Sequence, residues 1–136
     1  MTPLIDRLRR RGWRMTPQRR VIAEAMTGEH VHMTADEVLR HAREVLPEVS
    51  RATVYNTLNE MVSSGELLEI THADGRKRYD PNVGDHHHHL LCVECGRMLD
   101  VHVDDPALTA DQQHGFHILG VEVTFRARCP ECASAA

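Results

Sequence analysis

The chain has 136 residues, 26% of them charged and only 4% aromatic, with a formal net charge of −4. That length allows one ordinary domain or two small ones, and two Phe, two Tyr and one Trp leave each half a thin core, which favours a metal staple and an oligomer. No apolar run approaches the roughly 18 residues of a membrane span, so a helical membrane protein is excluded and a soluble, cytoplasmic one is expected. The net charge conceals a division: residues 1–20 hold seven Arg against Asp6, whereas residues 81–136 hold three Arg against eight acids. Nucleic acid is the expected partner of the first part and cations of the second.

Residues 3–11 read as a short basic helix ended by Gly12. Thr16-Pro17 opens a second, with Thr16 as N-cap and Pro17 at the first helical position, and Gly28 stops it. Thr34-Ala35-Asp36-Glu37 is a capping-box sequence, so a third helix runs from Ala35 to Leu46, ahead of Pro47. Ser50 caps a fourth, in which Val54, Leu58, Met61 and Val62 make the buried stripe and after which Gly65 is the stop. Two strands follow, Leu67–Thr71 and Arg76–Tyr79, joined by a turn containing Asp74-Gly75. Helices followed by a hairpin are the order of a winged helix. Beyond Pro81-Asn82-Val83-Gly84-Asp85, strand-like segments lie near His89–Cys92, Arg97–Val103 and Val121–Arg128, with a short helix near Ala107–His114. The fold class is therefore α+β: a winged helix-turn-helix domain over residues 1–80, a hinge over 81–85 and a small α/β domain over 86–136.

The cysteines form two pairs, Cys92-Val93-Glu94-Cys95 and Cys129-Pro130-Glu131-Cys132, with none left over. Each CxxC can present two thiolates to one ion, and two such knuckles complete the tetrahedral site that zinc prefers. Disulfides are the alternative. No leader sequence is expected ahead of the cysteines, and the chain is too long to need stapling. The run His86–His89 just before the first pair offers softer, exchangeable ligands, suited to a second metal of the iron, manganese, zinc or nickel kind.

A capped helix following a helix and turn is a helix-turn-helix candidate. The stretch Ser50–Leu58 would be the recognition helix, its outer face showing Arg51, Thr53, Tyr55 and Asn56, all able to touch bases or phosphates.

Here several motifs coincide in order: Arg14-Met15-Thr16-Pro17-Gln18-Arg19, then Ala52-Thr53-Val54-Tyr55, then the block from His86 through Cys95 and the final CxxC. Over nearly its whole length the chain resembles the Fur (ferric uptake regulator) family of metal-dependent transcriptional regulators. The resemblance implies a homodimer with an N-terminal winged helix, a C-terminal α/β dimerisation domain and a palindromic, AT-rich DNA operator, to which Arg14 also contributes. Asn56, where iron sensors of the family usually have Arg, and Asp100, where they commonly have Glu, are similar to the peroxide-sensing branch called PerR.

Carried residue by residue, the resemblance implies a regulatory Fe(II) or Mn(II) site of His32, Asp80, His87, His89 and Asp100, beside a structural Zn(II) on Cys92, Cys95, Cys129 and Cys132. His87 and His89, two apart, share one side of a strand. Singly, His32 could be a helix-cap residue with His30 as its rival, Asp80 a turn acceptor and Asp100 a solvated strand residue. Their joint fit to one pattern is what singles them out. The implied signal is hydrogen peroxide, with oxidation falling on His32 or His87. A further site that many members build with a His about eight residues before the third Cys has Val121 in that place, and whether His86, His88, His102, His114 or His117 replaces it stays open. The runner-up is an iron, zinc or nickel sensor without peroxide chemistry. A zinc hydrolase lacks its HExxH motif and an open zinc, so no enzyme activity is expected. A metal-storage protein would not need a capped recognition helix.

Overall fold

The computed structural model describes residues 2–28, 30–71 and 75–134, and the chain divides into two compact units, Met1–Asp85 and His86–Ala136. The first unit opens with helices α1 (Leu4–Arg10), α2 (Pro17–Ala25), α3 (Ala35–Val45) and α4 (Arg51–Ser63). Thr16, Thr34 and Ser50 cap the last three, each hydroxyl accepting the backbone N–H three residues on. In the Thr34 box, the hydroxyl also donates to the Glu37 carboxylate at 3.2 Å. Helix α4 ends in a paired C-terminal cap. Gly65 takes φ +80°, its N–H meets the Val62 carbonyl at 3.0 Å, and the Glu66 N–H meets the Met61 carbonyl at 2.9 Å.

The apolar faces of these helices meet in one core. Leu8 from α1, Ile22 from α2, Val38 from α3 and Val54, Leu58 and Met61 from α4 are all fully buried. Val62, expected in the buried stripe, packs at the edge of the core, and Thr57 is buried in its stead. The hairpin consists of β1 (Leu68–Thr71) and β2 (Lys77–Asp80), antiparallel with Leu68 opposite Asp80. Gly75 in its turn has φ +76°; Asp74 lies outside the described residues. An isolated bridge pairs a third segment with β2: Met33 and Tyr79 exchange hydrogen bonds of 2.8 and 3.3 Å.

The second unit holds β3 (His88–Cys92), β4 (Met98–Val101), α5 (Ala110–Gln113), β5 (Thr124–Ala127) and α6 (Pro130–Ser134). The sheet order is β4-β3-β5, antiparallel on one side of β3 and parallel on the other. The expected helix over 107–114 is a single turn, opened by a Thr109–Gln112 capping box and ended by His114 at φ +49°. The expected strands over 97–103 and 121–128 are shorter, because apolar alternation continues where backbone pairing stops. Helix α6 was not expected: Pro130 inside the second CxxC sits at its first position, a start signal read only as part of a metal motif.

Buried apolar residues in this second unit are few among the described residues: Leu91, Cys92 and Met98. His87, His88 and His89 are buried with them, while Phe116 and Leu119 are 75% and 98% exposed. The hydrophobic core is thus a property of the first unit. Ile22→Ala should therefore destabilise that unit by roughly 2–5 kcal/mol, seen in urea as a lower midpoint with an unchanged slope.

Candidate metal centres and DNA-binding face

The two cysteine knuckles meet because of the parallel pairing. Strand β5 runs alongside β3 with Cys92 opposite Ala127, so both chains leave the sheet at the same end. The Val93 N–H bonds the Ala127 carbonyl at 2.9 Å, and two residues further on Cys129 arrives beside Cys92, its N–H 3.3 Å from the Cys92 sulfur. The first knuckle closes tightly, with Gly96 at φ +80° and its N–H 2.9 Å from the Cys92 carbonyl. In the second, at the start of α6, the Cys132 N–H points at the Cys129 sulfur at 3.4 Å.

All four sulfurs lie within 4.8 Å of one another, and Cys95 and Cys129 are 3.8 Å apart. A tetrahedron with Zn–S bonds of about 2.3 Å has S···S edges of about 3.8 Å, so the residues fit the ion. The cysteines are free thiols, not disulfides. Hydrogen bonds from the Cys95 and Cys129 backbone lower Cys92 to about 6, whereas the Cys129 sulfur beside it pushes Cys132 up. Thiolates are the metal ligands, so a cation placed among these crowded sulfurs would displace their protons. Arg97 pairs with Glu131 at 3.2 Å and Arg128 with Glu94 at 2.7 Å, each acid lying inside one knuckle and each Arg flanking the other.

The histidine run divides by strand alternation. His87 and His89 point one way, their Nε2 atoms 3.5 and 3.9 Å from Asp100 Oδ1, with rings edge to face at 4.8 Å. The antiparallel register explains the acid's position, since His89 pairs directly with Asp100 across β3 and β4. His86 and His88 point the other way, with Nε2 2.9 and 2.5 Å from Asp105 Oδ1. Their hydrogen bonds hold Asp105 below the ordinary carboxylate range. The buried His88 ring is further fixed by the Val123 N–H, 3.2 Å from Nδ1. Asp105 had escaped the sequence reading; its signal was an acid pair before Pro106, too common to single out.

In the first unit the Met33–Tyr79 bridge sets His32 opposite Asp80. Both are buried, with His32 Nε2 3.2 Å from Asp80 Oδ2. The rival His30 is exposed. The other Asp80 oxygen accepts the Asn82 N–H at 2.8 Å, which orients the carboxylate from that side.

On α4, Arg51, Tyr55 and Asn56 are exposed, as is Arg14 in the loop before α2. Thr53 is half-buried, and its hydroxyl accepts from Ser50 at 2.8 Å, which ties it to the cap. Arg51 pairs with Asp36 of α3. Arg19 braces the loop carrying Arg14: it donates to the Arg14 carbonyl at 3.0 Å, pairs with Glu60 at 3.2 Å and lies 4.9 Å over the Trp13 ring.

The pattern of the ferric uptake regulator family matches residues 10–126. The peroxide-responsive repressor PerR of Staphylococcus epidermidis is 35% identical over 133 residues, covering 94% of this chain and 87% of that protein. The transcriptional regulator FurA of Mycobacterium tuberculosis is 34% identical over 131 residues, covering 94% and 88%. A solved zinc-bound manganese uptake regulator superposes with a TM-score of 0.74 at 28% identity, over 94% of this chain and 99% of that one. The match runs from the end of α1 through the hairpin and the histidine strand and stops short of the second knuckle, and the chain belongs to the ferric uptake regulator family, whose members regulate transcription.

Proposed function

We propose that this protein is a dimeric, metal-dependent repressor that leaves its operator when hydrogen peroxide oxidises it. Zn(II) on Cys92, Cys95, Cys129 and Cys132 holds the second unit together. The pair His32–Asp80 and the trio His87–His89–Asp100 are each too few to close a coordination shell, and they share one Fe(II) or Mn(II). That sharing, with residues 81–85 as hinge between domains 1–80 and 86–136, fixes the recognition helices of a dimer at the spacing of successive major grooves. The observation carrying the peroxide reading is Asp100, whose short carboxylate meets both His87 and His89 through one oxygen. Exposed Phe116, Ile118, Leu119 and Phe125 support a second copy as partner of the second unit.

His32, Asp80, His87, His89 and Asp100 would hold Fe(II), which would promote cleavage of the peroxide O–O bond; the two electrons of the net reaction come from the imidazole that gains one oxygen, and the other oxygen leaves as water. The chain supplies the target: His32 and His87 are the oxidisable groups of the set, whereas the cysteine thiolates are engaged by redox-inert zinc. Loss of one imidazole breaks the link between the two ligand groups and frees the DNA-binding unit. The relatives include peroxide and iron regulators at nearly equal identity, so an iron, zinc or nickel uptake regulator is the competing reading. It differs in one outcome, release on metal removal with no response to oxidant.

Replacing any of the four cysteines by Ser should remove zinc and the dimer together, measured by metal analysis and sedimentation; a zinc-free folded dimer would defeat that assignment. On DNA, Tyr55 packs on a thymine methyl, Arg51, Thr53 and Asn56 meet bases or phosphates, and Arg14 enters the AT-rich minor groove or meets its phosphates. Tyr55→Ala should cost about 1–3 kcal/mol on the cognate site and relax sequence preference. Arg14→Ala should weaken binding evenly and lower the salt slope by about one. Titrations of both variants at several salt concentrations check this, and unchanged affinity in both removes this face from the interface.

Peroxide treatment of the Fe(II) form should add oxygen to His32 or His87, detected by peptide mass analysis, with loss of DNA binding. The Mn(II) form should bind DNA and resist oxidation. Asp100→Glu should keep metal-dependent repression and blunt the peroxide response. Equal release from the Mn(II) form, or oxidation confined to the cysteines, rules the mechanism out in favour of a thiol switch or a plain metal sensor.

A further inference from the structure

Arg7 of α1 has no part in the reading above, yet it ties α1 to two distant segments of the first unit, at Glu66 and at Pro81. Its Nε lies 3.2 Å from Glu66 Oε2, and its Nη2 lies 2.7 Å from the Pro81 carbonyl and 3.4 Å from the Glu66 carbonyl. Only 15% of the Arg7 side chain and 8% of the Glu66 side chain are exposed. Arg11 pairs with the other Glu66 oxygen, so the buried acid is matched by two guanidinium groups.

Both ends of this contact are anchored in places that matter. Glu66 is fixed by the cap that terminates α4, through its N–H to the Met61 carbonyl at 2.9 Å. Pro81 follows Asp80 directly, and the Asp80 carboxylate lies 3.2 Å from His32 and accepts the Asn82 N–H at 2.8 Å. Arg7 therefore grips the chain on the far side of the ligand from β2, while bracing against the end of the recognition helix. One guanidinium nitrogen, Nη2, donates to the Pro81 carbonyl, while another, Nε, faces the Glu66 carboxylate at ion-pair distance with no hydrogen bond formed between them. A Lys ammonium is a single centre and cannot hold that fork.

The geometry points to Arg7 as a positioning residue for Asp80, holding the 80–82 strap at the place where its carboxylate meets the regulatory ion. This rests on Asp80 being a ligand of that ion. Partners that orient ligands commonly change metal affinity by about 10–100-fold when replaced; with the ligand one residue away from the gripped carbonyl, the lower end applies.

The test uses the full-length zinc-loaded protein and Mn(II), which binds without peroxide chemistry. Wild type, Arg7→Lys and Asp80→Ala are compared for Mn(II) affinity, thermal midpoint and operator affinity across a Mn(II) series. Arg7→Lys, which keeps the charge facing Glu66, should melt close to wild type and bind Mn(II) about tenfold more weakly. Its operator titration should shift to about tenfold higher Mn(II) and then reach wild-type affinity. A merely structural role would lower the melting temperature and the operator affinity at every Mn(II) concentration, and that result overturns the inference. So does wild-type Mn(II) affinity in Arg7→Lys when Asp80→Ala binds Mn(II) poorly. Wild-type Mn(II) affinity in Asp80→Ala removes the ligand assignment itself and the inference with it.

Discussion

Strand β3 is the constraint on which the second unit depends. His88–Cys92 is five residues long, yet with the two residues ahead of it this segment contributes to each candidate metal group of that unit among the described residues. A strand can do this because its side chains alternate. One face takes His87 and His89 to Asp100, the other takes His86 and His88 to Asp105, and the end of the strand delivers Cys92 to the knuckles. A slip of one residue in the register with β4 would move His89 away from Asp100 and exchange the two faces. Ordinarily burial of an apolar face holds a register. Here the buried groups are largely imidazoles, so donor–acceptor matching and metal binding have to supply much of the specification.

The two units therefore solve the stability problem differently. The first has an ordinary core of fully buried Leu, Ile, Val and Met from four helices, each with its own cap or stop signal. It can present Tyr55 and Asn56 on a rigid face because Val54, Leu58 and Met61 lock the opposite face of the same helix. The second has little apolar burial of its own among the described residues. Its closure relies on the parallel β3–β5 pairing and the knuckle ion pairs, to which metal binding by four converging thiolates would add.

Legibility in the sequence followed from how local each signal was. Helix starts at Thr16, Thr34 and Ser50 were readable because a cap is a contact within three residues. The CxxC pairs were readable because each knuckle is local, although the parallel pairing that unites them was not. His32 with Asp80 and His89 with Asp100 became visible only through family resemblance; structurally both pairs are cross-strand neighbours, set by registers no single sequence displays. Asp105 and Arg7 went unread for the same reason. Their partners are 19 and 17 residues away for Asp105, and 59 and 74 residues away for Arg7. Helix α6 was hidden differently, since Pro130 carried two meanings and the metal motif absorbed the other.

The chemistry of the donor sets separates holding from sensing. Four thiolates around zinc form a closed shell, with no open position and no redox change available at the ion. Such a site can maintain a fold across the conditions to which a sensor must respond. Imidazoles and carboxylates bind more weakly and exchange, and they leave room for metals whose occupancy or oxidation varies. A sensor built from thiols alone would have to expose the same groups that keep its second unit folded, so each signal would put the fold at risk. Keeping the exchangeable ligands apart from the knuckles would let the response change while the scaffold stays intact.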